Sequence, residues 1–212
     1  MLVEDEDVAA VLGAVEHSLE ALSPVALAHR LPEPTWHGHA QAFYLLGDTS
    51  PCWMVDLVVI RRSAPERFLA EERHGIPRVL FDRTGEIGPV PLHREAHAAR
   101  LAERWATLRT TFPLFRGLVQ KEIERSDAMA AIGFYHAFTL RSLLEVIRIL
   151  HCPERYDYGA KYSTPDLPPE VVNRLERLWY VGSPGDLAER QAEAEAWFAE
   201  TVAALDRAGP AH

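Results

Sequence analysis

The chain has 212 residues, 48% of them hydrophobic and 25% charged, with a net charge of −9 and two cysteines. That length holds one large domain or two small ones with a real core. The acidic balance excludes a broad electrostatic footprint for duplex DNA or anionic lipid and leaves room only for a local basic pocket.

Cys52 and Cys152 are too few for a disulfide framework. No apolar run reaches the ~20 residues of a membrane-spanning helix. The opening MLVEDED lacks the basic and apolar regions of a signal peptide. The expected setting is the cytoplasm, with neither membrane nor nucleic acid as partner. Lys121 and Lys161 are the only lysines among 22 basic residues.

Residues 5–22 predict a helix. Val8, Val11, Leu12, Val15, Leu19 and Leu22 form one stripe, and Glu4 to Asp7 sit where the helix dipole favours acids. Ser23-Pro24 ends it. VALAHRL (25–31) reads as a short strand, LPEPTWHG (31–38) as a loop and HAQAFYLL (39–46) as a strand. GDTSP (47–51) is turn chemistry, so CWMVDLVVI (52–60) returns as the second arm of an antiparallel hairpin. SAPERFLAEERHG (63–75) predicts a short helix with Ser63 as cap and Pro65 in the first turn, and PRVLFDRTG (77–85) predicts a strand running into a polar turn.

From residue 93 the period turns helical. HREAHAARLAERWATLRTTF (93–112) predicts a helix interrupted by Pro113. Residues 114–150 hold one long helix or two stacked ones, and 153–169 form a proline-rich loop. Helices follow near 169–180 and 184–207, the last stopped by Gly209-Pro210. The fold class is α+β: a small mixed sheet with an antiparallel hairpin and flanking helices over 1–92, then a helical bundle over 93–212.

Asp56 is the one charge in CWMVDLVVI. Met54, Val58 and Ile60 share its face, and Trp53, Val55, Leu57 and Val59 take the other. Two apolar faces predict a strand covered on both sides, where an ionised carboxylate costs several kcal/mol unless paired or metal-bound. Three readings stand: a structural pair with an arginine, a solvated carboxylate on an open part of the sheet, or a site group holding a cation or acting as a base.

VDLVVI (55–60), FDRTG (81–85) and the segment FTLRSLLEVIRILHCPERYDYGAKYSTPDLPPEVVNRLERL (138–178), in this order of elements, resemble the nucleotidyltransferase superfamily of polymerase-beta type. The likeness is greatest to aminoglycoside nucleotidyltransferases and related bacterial proteins. The resemblance implies metal-dependent transfer of a nucleoside monophosphate, from ATP or another NTP, to a hydroxyl on a small molecule or a protein. It implies Asp56 as the third carboxylate, acting as Mg²⁺ ligand or general base. It places Lys161 near the nucleotide's phosphates, with Tyr158 in an aromatic cluster (Tyr156, Tyr158, Tyr162) that either walls a binding pocket or packs the loop. A solvated loop lysine is the plain alternative for Lys161.

The departure from the family is the missing Gly-Ser turn and D-x-D strand. MLV reads as the tail of that strand and VEDED as the turn into the helix. Asp5 and Asp7 then point apart in a first helical turn and make no metal pair. On this reading the two main metal ligands would lie before Met1, through truncation, a late-assigned start or loss. Two metal ions need more than one carboxylate, so the chain alone is expected to be inactive or incomplete. The alternatives are a non-catalytic nucleotide-binding or regulatory protein, and a helical-bundle interaction protein with a structural Asp56.

Other constellations are weaker. His37 and His39 bracket Gly38, and His93 and His97 share a helix face, but HREAH is not a metalloprotease motif and a surface histidine pair is the plain reading. No G-x-S-x-G elbow, Rossmann fingerprint or P-loop is present. His136 and Arg141 fit a polar stripe on an amphipathic helix.

Overall fold

The computed structural model describes residues 1–64, 67–88 and 90–208. The chain divides into two compact units, Met1–Ala70 and Glu71–His212. Residues 71–92, grouped with the sheet in the sequence reading, thus fall with the helices. The class is α+β.

The first unit is a four-stranded mixed sheet with one helix. Strand β1 (Leu2–Val3) leads through a 3₁₀ turn at Asp5–Asp7 into helix α1 (Val8–Leu22). Strands β2 (Val25–Arg30), β3 (Ala40–Leu46) and β4 (Met54–Arg61) follow. The sheet order is β1-β4-β3-β2. β1 runs parallel to β4, with Leu2 opposite Ile60, and the other pairs are antiparallel. MLV is therefore strand and the acids after it the turn into the helix, as the pattern predicts.

α1 lies on one face of the sheet. Val8 and Leu12 bury against Ala40, Ala42, Tyr44 and Val59, with Val55 and Leu57 at the margin. Small alanines at 40 and 42 let the helix approach, and each fully buried large side chain contributes about 1.5–3 kcal/mol. Period two sends the intervening residues to the opposite face.

That face corrects the expectation of a strand covered on both sides. Met54 and Asp56 are exposed, and Val58 is half-buried. α1 covers only the odd-numbered positions Val55, Leu57 and Val59, and Met54 and Val58 form an apolar surface beside the carboxylate on the open face.

Two further elements differ from the sequence pattern. Of the helix predicted over 63–75, only α2 (Glu71–His74) forms among the described residues. Pro65 lies outside the described residues, and Ser63 does not cap a helix; its backbone N–H and hydroxyl both donate to Asp5. The strand predicted at the start of 77–85 does not form, with Leu80 82% and Phe81 68% exposed, while the polar turn predicted after it does. Asp82 accounts for this. One of its oxygens accepts from the Thr84 and Gly85 backbone N–H groups and the Thr84 hydroxyl, and the other accepts from the Ile87 N–H. A carboxylate that gathers local backbone donors holds a turn against a sheet ladder.

The second unit is a bundle of helices α3 (Arg94–Glu124), α4 (Ala128–Phe134), α5 (Arg141–His151), α6 (Ser163–Asp166), α7 (Pro169–Trp179) and α8 (Pro184–Ala208). Pro113 does not interrupt α3. Leu101, Leu108, Phe112 and Val119 form one buried stripe across it, and Phe112 stacks on Phe198 of α8 at 3.6 Å. Packing thus outweighs the proline's missing donor, and the exposed Pro113 ring sits on the outer side. The break comes instead at Ser126, which has φ 61°, and α4 is capped by Asp127. Between α4 and α5 the chain makes a π-helical segment, Tyr135–Leu140. Its Tyr135 hydroxyl donates to the Leu178 carbonyl at 2.9 Å and its Thr139 hydroxyl to Gln191 at 2.8 Å. The predicted Gly209-Pro210 stop lies outside the described residues.

Candidate functional site

The open face of the first unit carries the ionisable side chain singled out from sequence. Asp56 stands on β4, one of the two inner strands, opposite Phe43 of β3, which in turn stands opposite His29 of β2. Leu27, Leu45 and Met54 form the next row. No arginine pairs with Asp56 among the described residues, so the structural ion-pair reading fails and the open-face reading holds. Its Oδ1 accepts from the Gln41 side-chain amide at 2.7 Å, and no donor among the described residues reaches Oδ2.

Gln41 is itself held. It stands opposite Val58, two positions along from Asp56 on the same face. The His37 Nε2 lies 3.0 Å from Gln41 Oε1. The His39 backbone N–H donates to His37 Nδ1 at 3.1 Å, and the Thr35 hydroxyl donates to the His39 carbonyl at 2.6 Å. His37 and His39 stack at 5.5 Å, and the Phe68 ring stands edge-on to both. Sequence alone offers the HGH pair but gives no reason to join it to Asp56. The joining signal is the hairpin register, which sets Gln41 diagonal to Asp56.

Lys161 and Tyr158 lie in the second unit, in the loop between α5 and α7. Arg148 organises this loop from inside. Its side chain is fully buried and donates to the carbonyls of Arg155, Gly159 and Lys161 and to Asp166. So it is the Lys161 carbonyl that turns inward, while the ammonium extends over the Tyr162 ring at 4.9 Å from an exposed residue. The Tyr158 hydroxyl donates to the Arg73 carbonyl at 2.6 Å and lies 3.0 Å from His74 Nδ1. Arg73 in turn forks onto Asp157 and covers the Tyr158 ring at 5.6 Å. Burial pushes the Tyr158 phenol above its ordinary pKa. The tyrosine ties the loop to the segment around α2.

The histidine pair of HREAH separates. His93 caps α3, accepting from the Ala96 N–H, and His97 is buried with Nε2 3.0 Å from the Pro153 carbonyl. The surface-pair reading is therefore corrected: α3 packs His97 inward.

A two-ion centre of the kind the resemblance implies needs several oxygen ligands around each cation. Among the described residues no group of three or more histidines, cysteines, aspartates or glutamates is placed to hold a metal. Asp56 has an amide, and no second carboxylate, beside it. This donor set does not fit such a centre.

No helix among the described residues is long and apolar enough to cross a membrane. No family model matches the chain, and no curated protein matches it. Among solved structures it is similar to an aminoglycoside 6-adenyltransferase from Bacillus subtilis, at 15% identity and a TM-score of 0.42, over 94% of this chain and 76% of that one. A likeness at that level carries no argument about activity.

Proposed function

We propose that this chain is a nucleotidyltransferase-like protein that binds a nucleoside triphosphate and a hydroxyl-bearing acceptor without completing the transfer by itself. The observation that carries the reading is Asp56. It is an exposed carboxylate on an inner strand, one oxygen occupied by a neutral amide and the other open, within an apolar surface that a ligand's rings can cover. In this reading Oδ2 accepts a hydroxyl of the bound nucleotide; for Lys161 the reading is a point charge on phosphate oxygens. The sequence likeness of 55–60 and 138–178 to that superfamily supports the same reading.

The single carboxylate supports binding over turnover. In-line displacement at phosphorus depends on stabilising charge on both the attacking and leaving oxygens, and the donors near Asp56 do not supply that. Thermal melting of the full chain with magnesium ATP tests the reading, alongside a pyrophosphate-release assay. A raised Tm with no pyrophosphate above background is the expected pair of results. An unchanged Tm overturns nucleotide binding, and sustained release of pyrophosphate overturns the non-catalytic assignment.

A further inference from the structure

The hydrogen bonds leading to Asp56 form a chain with one direction, and the direction is forced from both ends. At the near end an ionised Asp56 accepts only, so Gln41 must turn its NH₂ toward Oδ1 and its carbonyl oxygen toward His37. That carbonyl needs a donor, so His37 Nε2 must carry the proton. At the far end His37 Nδ1 faces two groups, the Thr35 hydroxyl at 3.2 Å, whose proton goes to the His39 carbonyl, and the His39 backbone N–H, which can only donate and so calls for a bare Nδ1. Both requirements select the same neutral tautomer. The opposite tautomer finds an acceptor in the Thr35 oxygen, but it sets Nδ1–H against the His39 N–H and leaves the Gln41 carbonyl facing either a bare nitrogen or the carboxylate.

The frame is rigid where it needs to be. Thr35 holds the turn by donating to the His39 carbonyl. Phe68 and the His39 ring flank the imidazole, and His37 and Gln41 are only half-buried.

We infer that His37 and Gln41 are positioning residues for Asp56: they fix the carboxylate's rotamer by occupying Oδ1 and so present Oδ2 alone to a ligand. This rests on Asp56 being the ligand-facing group proposed above. A freely rotating carboxylate on an exposed strand position offers either oxygen and must be ordered on binding; one that is already clamped binds more tightly because part of the ordering is done beforehand. In metal sites, partners of this kind, one bond removed from the ion, change affinity or activity by about tenfold or more when lost, and that sets the scale expected here.

The test is made first on the ligand-free, ¹⁵N-labelled full chain. The Gln41 side-chain amide is expected to give one proton shifted from the other glutamines and slow to exchange, and His37 to show Nε2 protonated and Nδ1 bare. His37→Ala and Asp56→Ala should each return the Gln41 amide to the free position. His37→Gln, which replaces the Nε2 donor, should restore it. Asp56 is exposed, so its alanine variant reads the relay even if His37→Ala destabilises the turn. A Gln41 amide unmoved by Asp56→Ala, or a His37 ring protonated on Nδ1 alone, overturns the inference.

The binding arm uses magnesium ATP as probe. His37→Ala and Gln41→Leu should weaken it about tenfold, with His37→Gln close to wild type. A clamped Gln41 in a chain that binds no nucleotide retires the ligand reading and leaves the relay standing. Nucleotide binding beside a free Gln41 amide retires the relay alone.

Discussion

Arg148 Nη1 donates to Asp166 Oδ2 across 2.9 Å, with the arginine side chain fully buried and the aspartate side chain 7% exposed. Asp166 Oδ1 also accepts from Arg155 at 2.8 Å. One carboxylate therefore closes the loop that carries Tyr158 and Lys161. Removing it strands a buried guanidinium, and such losses cost about 3–5 kcal/mol. Asp166→Ala should lower stability by that amount in urea denaturation. A loss below about 1 kcal/mol would show that the loop's carbonyls satisfy Arg148 on their own.

Pro113 is exposed in the middle of a continuous helix. An interior proline lacks the N–H that would reach the carbonyl four residues back and costs roughly 3 kcal/mol relative to alanine. Pro113→Ala should therefore stabilise the chain by about 1–3 kcal/mol, seen as a higher melting temperature with an unchanged helical circular dichroism signal. A destabilised variant would mean that the ring's own packing outweighs the missing hydrogen bond.

Asp82 gives the chain a local acid response. The Ile87 N–H, then the Thr84 and Gly85 N–H groups and the Thr84 hydroxyl, hold its carboxyl below the ordinary carboxylate range. A pKa depressed in the folded state contributes stability that is present above the unfolded value, near 4, and is lost as pH falls through the folded one. The amide signals of Thr84, Gly85 and Ile87 should hold position at neutral pH and move together in that acid window. In Asp82→Ala they should already stand at the released positions at pH 7; identical spectra for the two proteins would remove Asp82 as the organiser of this turn.

Much of the fold is legible in the residues. The stripe from Val8 to Leu19, the turn GDTSP and the parity of β4 lead to α1 and the hairpin as they stand. What misled was local preference overruled at longer range. The apolar run at 79–81 reads as strand, but Asp82, the next residue, gathers the N–H groups of Thr84, Gly85 and Ile87 into a turn. Pro113 reads as a helix stop, yet a stripe of buried side chains on both sides of it carries α3 through. The π-helical segment at Tyr135–Leu140 has no local signature, because its buried hydroxyl bonds reach Leu178 and Gln191, far along the chain.

The site follows the same division. Asp56 stands out in sequence as a charge in an apolar run, but whether a second layer covers it depends on packing that no period reveals. Gln41 draws no attention as a residue type, and His37 only as half of a histidine pair. They matter only once the register of β3 against β4 sets Gln41 diagonal to the carboxylate.

The most direct measurement is the melting temperature of the full chain and of Asp56→Asn, with and without magnesium ATP. Asparagine keeps the shape of Asp56 and one accepting oxygen but loses the charge and replaces the other oxygen with an NH₂ donor. A ligand present at about 100 times its Kd stabilises its protein by about 2.7 kcal/mol, a shift of about 5–11 °C for a chain of this size. The account predicts such a rise for the wild-type chain and its loss or marked reduction in Asp56→Asn, with both proteins melting alike when no nucleotide is added. Equal rises in the two proteins, or none in either, would contradict it.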